Sequence, residues 1–315
     1  QRLTVDSFPE RLAAVVAARR SQIVLGLDPD PSRLWPGPVA EAGEREIAFD
    51  GTGSDPVVVR TAVAVTLHCR AAIEAAGRAC VAVKLQLACF ERLGGPGWAA
   101  LTEVAHAARD QGLLVVADGK RGDVPVTARA YAEALLGGTE GPFGALPGLG
   151  ADAVTLNPLL GRDALEPFVE AAAGGAGCFC LVRTSNPGAA EIQDGGEHPL
   201  HERLARMVDE LGRETGAGGP LSSVGAVTGA TSPQHLARLR ELMPRAIFLL
   251  PGVGVQGGRV EDLGPAFATH PAGGLVAASR SIVDAHGGRD EPAAAARAAA
   301  EELREAAWTV GGGPP

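Results

Sequence analysis

The sequence has few basic residues for its length. Its 315 residues include 28 Lys and Arg against 37 Asp and Glu, which gives a formal net charge of −9 and a pI near 5.3. A nucleic-acid or anionic-membrane surface needs clustered Lys and Arg, so this balance argues against both kinds of partner. Any anionic ligand must therefore be held by a few local groups.

Cysteine, histidine and apolar residues also lack the patterns that would give them a special role. The five cysteines are an odd number without C-x-x-C spacing, which argues against a disulfide framework or a zinc site. The seven histidines show no paired metal-ligand spacing, and we expect all of them to be solvated. No apolar run reaches the ~18 residues of a membrane span, and the first residues lack a signal-peptide core. The expected location is the cytoplasm.

What the sequence does contain is a regular series of short apolar runs, separated by amphipathic, alanine-rich stretches. Strands that alternate with helices favour a parallel sheet with right-handed crossovers, and eight such units are the number in a (β/α)8 TIM barrel. We predict one barrel domain over residues 1–315. The predicted strands are Gln22–Asp28, Cys80–Gln86, Leu113–Asp118, Ala151–Pro158, Gly177–Ser185, Ser222–Gly229, Ala246–Gly252 and Gly274–Arg280. The predicted helices are Arg60–Ala76, Trp98–Asp110, Ala128–Leu136, Asp163–Ala173, His198–Gly212, Pro233–Leu242 and Pro292–Ala307.

Two connections in this series are long. Residues 29–57 follow the first strand and are predicted as a loop insertion, and residues 186–197 follow the fifth strand. Loops of this length in a compact domain are typical of lids, binding loops or disordered insertions. Residues 309–315 are predicted to be a flexible tail.

Polar or charged residues end most of the predicted strands. In a barrel these carboxyl ends meet around one mouth, which is where ligand sites lie. A single strand-ending Asp or Asn is more often a turn or cap residue, but several that converge favour a site. The residues at these ends are Asp28, Lys84, Asp118, Lys120, Asn157, Ser185 and Arg280.

The densest charge follows the third strand, in the segment from Asp118 through Lys120 and Asp123 to Thr127. The period of two in a strand points Asp118 and Lys120 to the same face, whereas Arg121 is expected to be a surface charge. Held between two carboxylates, Lys120 would stay protonated and could donate a proton to carbon. The carboxylates would repel an anionic group of the substrate. This arrangement suits loss of CO2 from an anionic substrate without a cofactor.

A glycine-rich loop, PGVGVQGG, follows the seventh predicted strand. It satisfies G-x-G-x-x-G through Gly252, Gly254 and Gly257, but a dinucleotide-binding fold needs that motif in its first βαβ unit. The dinucleotide alternative stays open as the weaker one. In a barrel, loops after strands seven and eight bind phosphate, so the glycine amides, Gln256 and Arg280 could hold phosphate oxygens.

Together these segments resemble orotidine 5′-phosphate decarboxylase, in its longer bacterial subfamily (type 2). The run DGKRGDVPVT matches the family signature D-x-K-x-x-D-[IV]-x-x-T. The segments DAVTLNP, VRTSNPG, VGAVTGAT and PGVGVQGG also resemble the family, so the likeness runs from about Gln22 to His286. It implies conversion of orotidine 5′-monophosphate to uridine 5′-monophosphate in de novo pyrimidine synthesis, with no metal and no cofactor.

The resemblance also implies roles for single residues. Lys120 would protonate C6 after CO2 leaves, and Asp118 would lie against the departing carboxylate. Asp123 and Thr127 would reach into the neighbouring subunit's site, which implies a homodimer with shared active sites. The implied catalytic residues are Lys120, Asp118, Asp123 and Lys84, and the implied substrate-binding residues are Asp28, Thr127, Ser185, Gln256, Gly257 and Arg280.

Three positions depart from the family pattern. Leu85 replaces a usual proline, Val255 a usual alanine and Leu159 a common aromatic residue.

Two other functions compete with the one that the resemblance implies. One competitor is a Mg²⁺-dependent decarboxylase or aldolase of the same barrel group, whose second strand carries an acidic ligand where this chain has Lys84. The other is a non-catalytic nucleotide-binding barrel, which would gain little from keeping Lys120 between carboxylates.

Overall fold

Eight parallel strands close into a barrel in the computed structural model, which describes residues 6–46, 54–216, 218–288 and 290–312. Neighbouring barrel strands run β1, β2, β3, β6, β7, β8, β9 and β10, and β10 pairs with β1. The predicted (β/α)8 barrel is confirmed, with all eight predicted strands present. The strands are β1 (Ile23–Leu27), β2 (Ala82–Gln86), β3 (Leu114–Arg121), β4 (Thr139–Gly141), β5 (Gly144–Leu146), β6 (Ala153–Leu156), β7 (Gly177–Arg183), β8 (Ser222–Thr228), β9 (Ala246–Pro251) and β10 (Gly274–Ala278).

Helices surround the barrel, and all seven predicted helices are present with shifted ends. The predicted stretch that begins at Pro233 starts with a 3₁₀ turn. The helices are α1 (Phe8–Arg19), α2 (Pro36–Glu44), α3 (Pro56–Ala76), α4 (Leu87–Glu91), α5 (Gly94–Asp110), α6 (Pro125–Leu136), α7 (Glu166–Ala173), α8 (Ala189–Gln193), α9 (Leu200–Glu214), α10 (Leu236–Leu242), α11 (Arg280–Val283) and α12 (Pro292–Gly311). Five helices of the described residues were not predicted, and neither was the hairpin β4–β5. These helices are α1, which precedes the first strand, and the short helices α2, α4, α8 and α11. Five 3₁₀ segments lie at Gly77–Ala79, Pro158–Leu160, Pro233–His235, Val260–Phe267 and Pro271–Gly273.

The prediction for residues 29–57 is corrected in part, because α2 lies inside the expected loop. The Nη1 atom of Arg60 in α3 donates to the carbonyls of Ala42 and Gly43 at 2.8 Å each, which fixes the end of α2 against α3. Residues 47–53 of the predicted insertion lie outside the described residues. The predicted tail also starts later than expected, since α12 continues to Gly311, and residues 313–315 are likewise not described.

Helix α3 with its following turn, Pro56–Ala79, is long and apolar enough to cross a membrane by length and composition alone. Its position in the fold gives another reason for this composition. It is an outer helix of the barrel, packed against α2, α5 and α12, and it buries Val65, Cys69 and Ile73. The apolar composition of α3 is therefore that of a helix packed against the core of the barrel.

Helix α1 closes the amino-terminal end of the barrel. Phe8 is 1% exposed and its ring meets that of Phe179 edge-on, with centroids 5.9 Å apart. Gly177 makes room for this contact, because a Cβ there would lie 2.4 Å from Phe8 Cδ1. Helix α1 was not predicted, although Ser7 and Glu10 have the spacing of a capping box, which marks the start of a helix. In the structure the Glu10 carboxylate accepts the Ser7 backbone N–H at 2.7 Å.

We expect Phe8→Ala to lower the free energy of unfolding by about 3–5 kcal/mol, because it empties a fully packed site at the closed end of the barrel. Urea unfolding monitored by circular dichroism measures this. Phe143→Ala is the matched control, since Phe143 is 101% exposed and its removal should change stability little. Equal losses in the two variants would show that α1 does not close the barrel as described.

Candidate active site

A cavity of about 470 Å³ opens at the carboxyl ends of the barrel strands. Most of the predicted site residues line it, although the predictions came from different strands far apart in the chain. This convergence follows from the barrel, which brings every carboxyl strand end to one mouth. The predicted residues that line the cavity are Asp28, Lys84, Asp118, Lys120, Ser185, Gln256 and Arg280.

The centre of the cavity is the carboxylate of Asp118, held between two lysines. Lys84 Nζ lies 2.6 Å from Asp118 Oδ2, and Lys120 Nζ lies 2.6 Å from Asp118 Oδ1. Asp28 Oδ1 is 3.8 Å from Lys84 Nζ on the other side. The side chains of Asp118 and Lys84 are only 5% and 10% exposed, whereas that of Lys120, which also lines the cavity, is 42% exposed. Of the two ammonium groups, that of Lys120 is therefore the more open to a ligand.

These two lysines are the only lysines in the 315-residue sequence, and the other 26 of its 28 Lys and Arg residues are arginine. Both lie on one carboxylate. An arginine side chain stays charged and cannot donate its proton at ordinary pH, whereas a lysine ammonium can. The composition itself thus carried a signal for the site that the strand-end pattern did not use.

The charges shift one another's pKa values. Burial opposes the ionised form of Asp118, but Lys84 and Lys120 outweigh burial and hold the pKa of Asp118 well below its usual range. Burial also opposes the charge on Lys84, and the carboxylates of Asp118 and Asp28 outweigh it and raise the Lys84 pKa. Asp118 and Lys84 are therefore both ionised at neutral pH, and each buried charge is stabilised only while its partner is present.

A bulge in β3 produces this arrangement, which corrects the simple strand geometry expected for Asp118 and Lys120. Ala117 pairs with Val154 and Arg121 with Leu156, so three residues of β3 stand opposite the single residue Thr155. Lys120 has φ +47°, a left-handed conformation that costs a non-glycine residue about 1–2 kcal/mol. Both side chains do reach the cavity, but the bulge turns them there rather than a period of two.

Thr155 joins the two halves of the bulge and was not among the predicted site residues. Its hydroxyl donates to Asp118 Oδ1 at 2.7 Å and accepts the backbone N–H of Lys120 at 3.0 Å. It is fully buried in β6 and its side chain touches the cavity. A lone hydroxyl inside an apolar strand, two residues before Asn157, was the signal that could have identified it.

The glycine-rich loop after β9 has the shape that its glycines allow. Gly252, Gly254 and Gly257 have φ of 104°, 80° and 93°, where a side chain would be strained. The N–H groups of Gly254 and Gly257 bond to the carbonyls of Gly258 and Gly254, and that of Gly258 bonds to Gly252. These three amides are therefore used inside the loop, whereas Gly252 lines the cavity, and phosphate binding by the loop stays a prediction. Gly257 does not line the cavity.

Gln256 and Arg280 both line the cavity and are exposed. Arg280 does not end a strand as predicted but begins α11, directly after β10 and Ser279. Its side chain forms no ion pair within the described part of the chain, which leaves its donors to face a ligand. Val255, one of the departures from the family pattern, also lines the cavity and is 62% exposed.

The segment after β7 covers one side of the cavity. Arg183 donates two hydrogen bonds to the Asp194 carboxylate, from Nε to Oδ1 at 2.7 Å and from Nη2 to Oδ2 at 2.9 Å. Gln193 Oε1 accepts the backbone N–H of Thr184 at 2.8 Å. Ser185, Asn186 and Gln193 line the cavity, so these bonds determine where the covering segment lies.

Besides Gly257, three predicted residues lie away from the cavity. Asp123 and Thr127 do not line it, Asp123 accepts the N–H of Val124 at 2.8 Å, and Thr127 is exposed on α6. Asn157, expected at the mouth, instead caps a 3₁₀ turn by accepting the N–H of Leu159 at 3.0 Å. The turn interpretation was therefore the right one for Asn157, and residues of this chain alone do not bring Asp123 to the site.

Two histidines and one arginine are more buried than predicted. His68 is 3% exposed and its Nδ1 accepts the Trp35 backbone N–H at 3.1 Å, and burial lowers its pKa to about 4. His201 is 4% exposed, with Nδ1 at 3.2 Å from Asp194. Arg121, expected at the surface, is half-buried and paired with Glu91. Within the described residues, no three His, Cys, Asp or Glu side chains form a group that could hold a metal ion.

The fold and the site define the class of the protein as a (β/α)8 barrel with an ionic site at the carboxyl ends of its strands. Residues 22–299 match the family model described as "Orotidine 5′-phosphate decarboxylase / HUMPS family". The chain belongs to this family. The predicted family is thus confirmed, and the longer bacterial subfamily stays a prediction.

Individual relatives agree with the family. The chain is 47% identical over 235 residues to an orotidine 5′-phosphate decarboxylase of Deinococcus radiodurans, covering 74% of this chain and 81% of that one. It is 40% identical over 287 residues to that of Rhodopirellula baltica, covering 89% of each. The crystal structure of a protein from Streptomyces avermitilis, titled a putative orotidine 5′-phosphate decarboxylase, superposes with a TM-score of 0.74 at 29% identity and covers 99% of both chains.

The shifted pKa of Asp118 predicts how stability changes with pH. A lowered folded-state pKa contributes stability above the ordinary carboxyl pKa of about 3.9, and that contribution is lost as pH falls through the folded value. We expect Asp118→Asn to be less stable than the parent by about 3–5 kcal/mol at pH 7. Urea unfolding at several pH values should show this gap narrowing below pH ~4. Glu103→Gln, on an exposed position of α5, is the control and should show no such trend. A gap that stays constant down to pH ~3 would contradict the ionic role of Asp118.

Proposed function

We propose that the cavity of this chain decarboxylates orotidine 5′-monophosphate to uridine 5′-monophosphate. The observation that carries the proposal is the ionised pair of Asp118 and Lys120 at the cavity, with the Lys120 ammonium open to a ligand. Membership of the family and the names of the relatives support the same reaction. The reaction belongs to pyrimidine nucleotide synthesis, which agrees with the expected cytoplasmic location.

The cavity offers different chemistry at its two ends, and this orients the nucleotide. Gln256 and Arg280 are hydrogen-bond donors at one rim and bind the phosphate, for which a guanidinium is suited by its planar fork. Asp28 and Lys84, which line the cavity beside Asp118, bind the ribose hydroxyls. Ser185, from the covering segment, contacts the pyrimidine ring.

Asp118 and Lys120 act on the reacting carbon. Asp118 stays ionised between its lysines, so the substrate carboxylate next to it is repelled, and the repulsion is relieved when CO2 leaves. The electron pair left on C6 is stabilised by the ammonium of Lys120, which then donates its proton to that carbon. The C6–carboxyl bond breaks, a C6–H bond forms, and Lys120 regains a proton from solvent. No metal or cofactor enters any of these steps.

A second subunit completes the site in this proposal. Asp123 and Thr127 lie on an exposed part of the chain next to Val124 and Val126, which are 55% and 85% exposed. Apolar side chains exposed beside polar ones are common at subunit interfaces. In a homodimer, Asp123 would add a second carboxylate near the partner's Lys120 and Thr127 would contact the bound nucleotide.

The alternative of a Mg²⁺-dependent decarboxylase or aldolase of the same barrel group is disfavoured by the residue at the end of β2. Lys84 Nζ stands 2.6 Å from Asp118 and 3.8 Å from Asp28, so an ammonium occupies the space between the two carboxylates. A divalent cation there would meet a fixed positive charge of the protein. The same lysine completes the charge array that the cofactor-free reaction uses.

The parent chain should remove the orotate absorbance when orotidine 5′-monophosphate is added, at a rate that EDTA does not change. Lys120→Ala should lose several orders of magnitude in kcat because it lacks the proton donor, while still binding uridine 5′-monophosphate. The assay is the change in ultraviolet absorbance, with binding measured by calorimetry. A flat trace at high enzyme concentration, or activity that EDTA removes, would overturn the proposed function.

Mixtures of two inactive variants test the shared site. Lys120→Ala and Asp123→Ala each damage both sites of their own homodimer, but a mixed dimer would hold one site with both residues intact. We expect mixing to restore up to about half of the activity per mixed dimer, measured after co-refolding with separate tags, since one of two sites is intact. Lys120→Ala mixed with Lys84→Ala is the control, because both residues lie in one chain's cavity and a mixed dimer gains no intact site. Asp123→Ala mixtures that stay as inactive as this control would show that Asp123 does not act across the interface.

A further inference from the structure

Arg121 lies on the opposite side of the β3 bulge from Lys120. It was expected to be a solvated charge, yet its side chain is only 23% exposed. The guanidinium pairs with the Glu91 carboxylate, its Nη1 donates to the Gly119 carbonyl at 3.0 Å, and its Cζ lies 5.5 Å from the ring centroid of Tyr131. These contacts leave the guanidinium fixed in place rather than free in solvent.

The three partners of Arg121 belong to three segments, two of which carry the ionic site. Glu91 ends α4, the helix that follows β2 and Lys84. Gly119 lies in the bulge between Asp118 and Lys120. Tyr131, the only tyrosine of the sequence, lies on α6, the helix that follows Asp123. One side chain therefore joins the strand end of Lys84, the bulge of Lys120 and the helix beside Asp123.

The backbone of the bulge is strained, so it needs contacts that hold it in place. Lys120 adopts φ +47°, and a residue in this region keeps its conformation only when the surroundings fix it. From inside the barrel, Thr155 holds the Lys120 N–H. From outside, Arg121 donates a hydrogen bond to the Gly119 carbonyl. A Cβ on Gly119 would lie 2.7 Å from Leu87 Cδ1, so the packing there leaves the backbone little room to take another course.

We propose that Arg121 is a positioning residue for Lys120, which it holds through the Gly119 carbonyl while Glu91 and Tyr131 fix its guanidinium. The inference rests on the proposed function and adds to it a residue that never touches the substrate. Loss of the guanidinium lets the bulge relax and moves the Lys120 ammonium away from C6. Because small misplacements of a reacting group are costly to the rate, the effect falls on kcat rather than on nucleotide binding.

The test compares Arg121→Gln, Arg121→Ala and Glu91→Gln with the parent chain. We expect Arg121→Gln to lose about 10- to 100-fold in kcat, with the Kd for uridine 5′-monophosphate unchanged. Millimolar guanidinium should restore part of the kcat of Arg121→Ala, which a loss of general stability would not allow. Glu91→Gln should lose less, and the double variant should lose less than the product of the two single losses, since both belong to one network.

Controls separate this role from stability and from the proposed function. Arg213→Gln removes an arginine that is 69% exposed and paired with Asp209 on α9, and it should keep the parental kcat. Thermal unfolding of each variant shows that it is folded, and Glu91→Gln carries the test if Arg121→Gln does not fold. A folded Arg121→Gln with parental kcat, or one whose loss lies in Kd alone, would overturn the positioning role while the proposed function stands. An inactive parent chain would instead overturn the proposed function and this inference with it.

Discussion

The contact of one buried carboxylate with two ammonium groups determines how this barrel is built at its mouth. Asp118 accepts from Lys84 and Lys120 at 2.6 Å each and is 4% exposed. Burying these charges costs several kcal/mol per ion, so each must keep its partner and its hydrogen bonds. The bulge of β3, the hydroxyl of Thr155 and the glycine at position 119 all serve to keep this contact in place.

The choice of lysine at these two positions is informative because the chain uses arginine everywhere else. Arginine would form a stronger bidentate pair with Asp118, but its proton is not available at neutral pH. A lysine ammonium is compact enough to fit beside a buried carboxylate at the end of a strand, and it can give up a proton. In the proposed mechanism, lysine gives up pairing strength for the ability to transfer a proton to carbon.

The parts of the structure that follow from local pattern could be predicted from the sequence. The eight strands were evident because each is a short apolar run between breakers, and the barrel then placed Asp28, Lys84 and Arg280 at one mouth. The bulge could not be predicted, since it depends on how β3 pairs with β6 and on contacts from both sides. Short elements such as α2 were missed because their boundaries depend on packing against α3 rather than on periodicity. Arg121 was misjudged for a similar reason, because its contacts with Glu91 and Tyr131 depend on how β3 packs against α4 and α6.

The ionisation of Lys84 tests the central ionic contact most directly, and a chain with only two lysines makes the measurement simple. Protein labelled with 15N-lysine gives two side-chain ammonium signals, which can be assigned with Lys84→Ala and followed with pH. The account predicts a Lys84 pKa above the ordinary value of about 10.4 in the parent chain. In Asp118→Asn it predicts a lower value, because burial then has less negative charge to oppose it. A Lys84 pKa at or below the ordinary value in the parent, or one that Asp118→Asn leaves unchanged, would contradict the account.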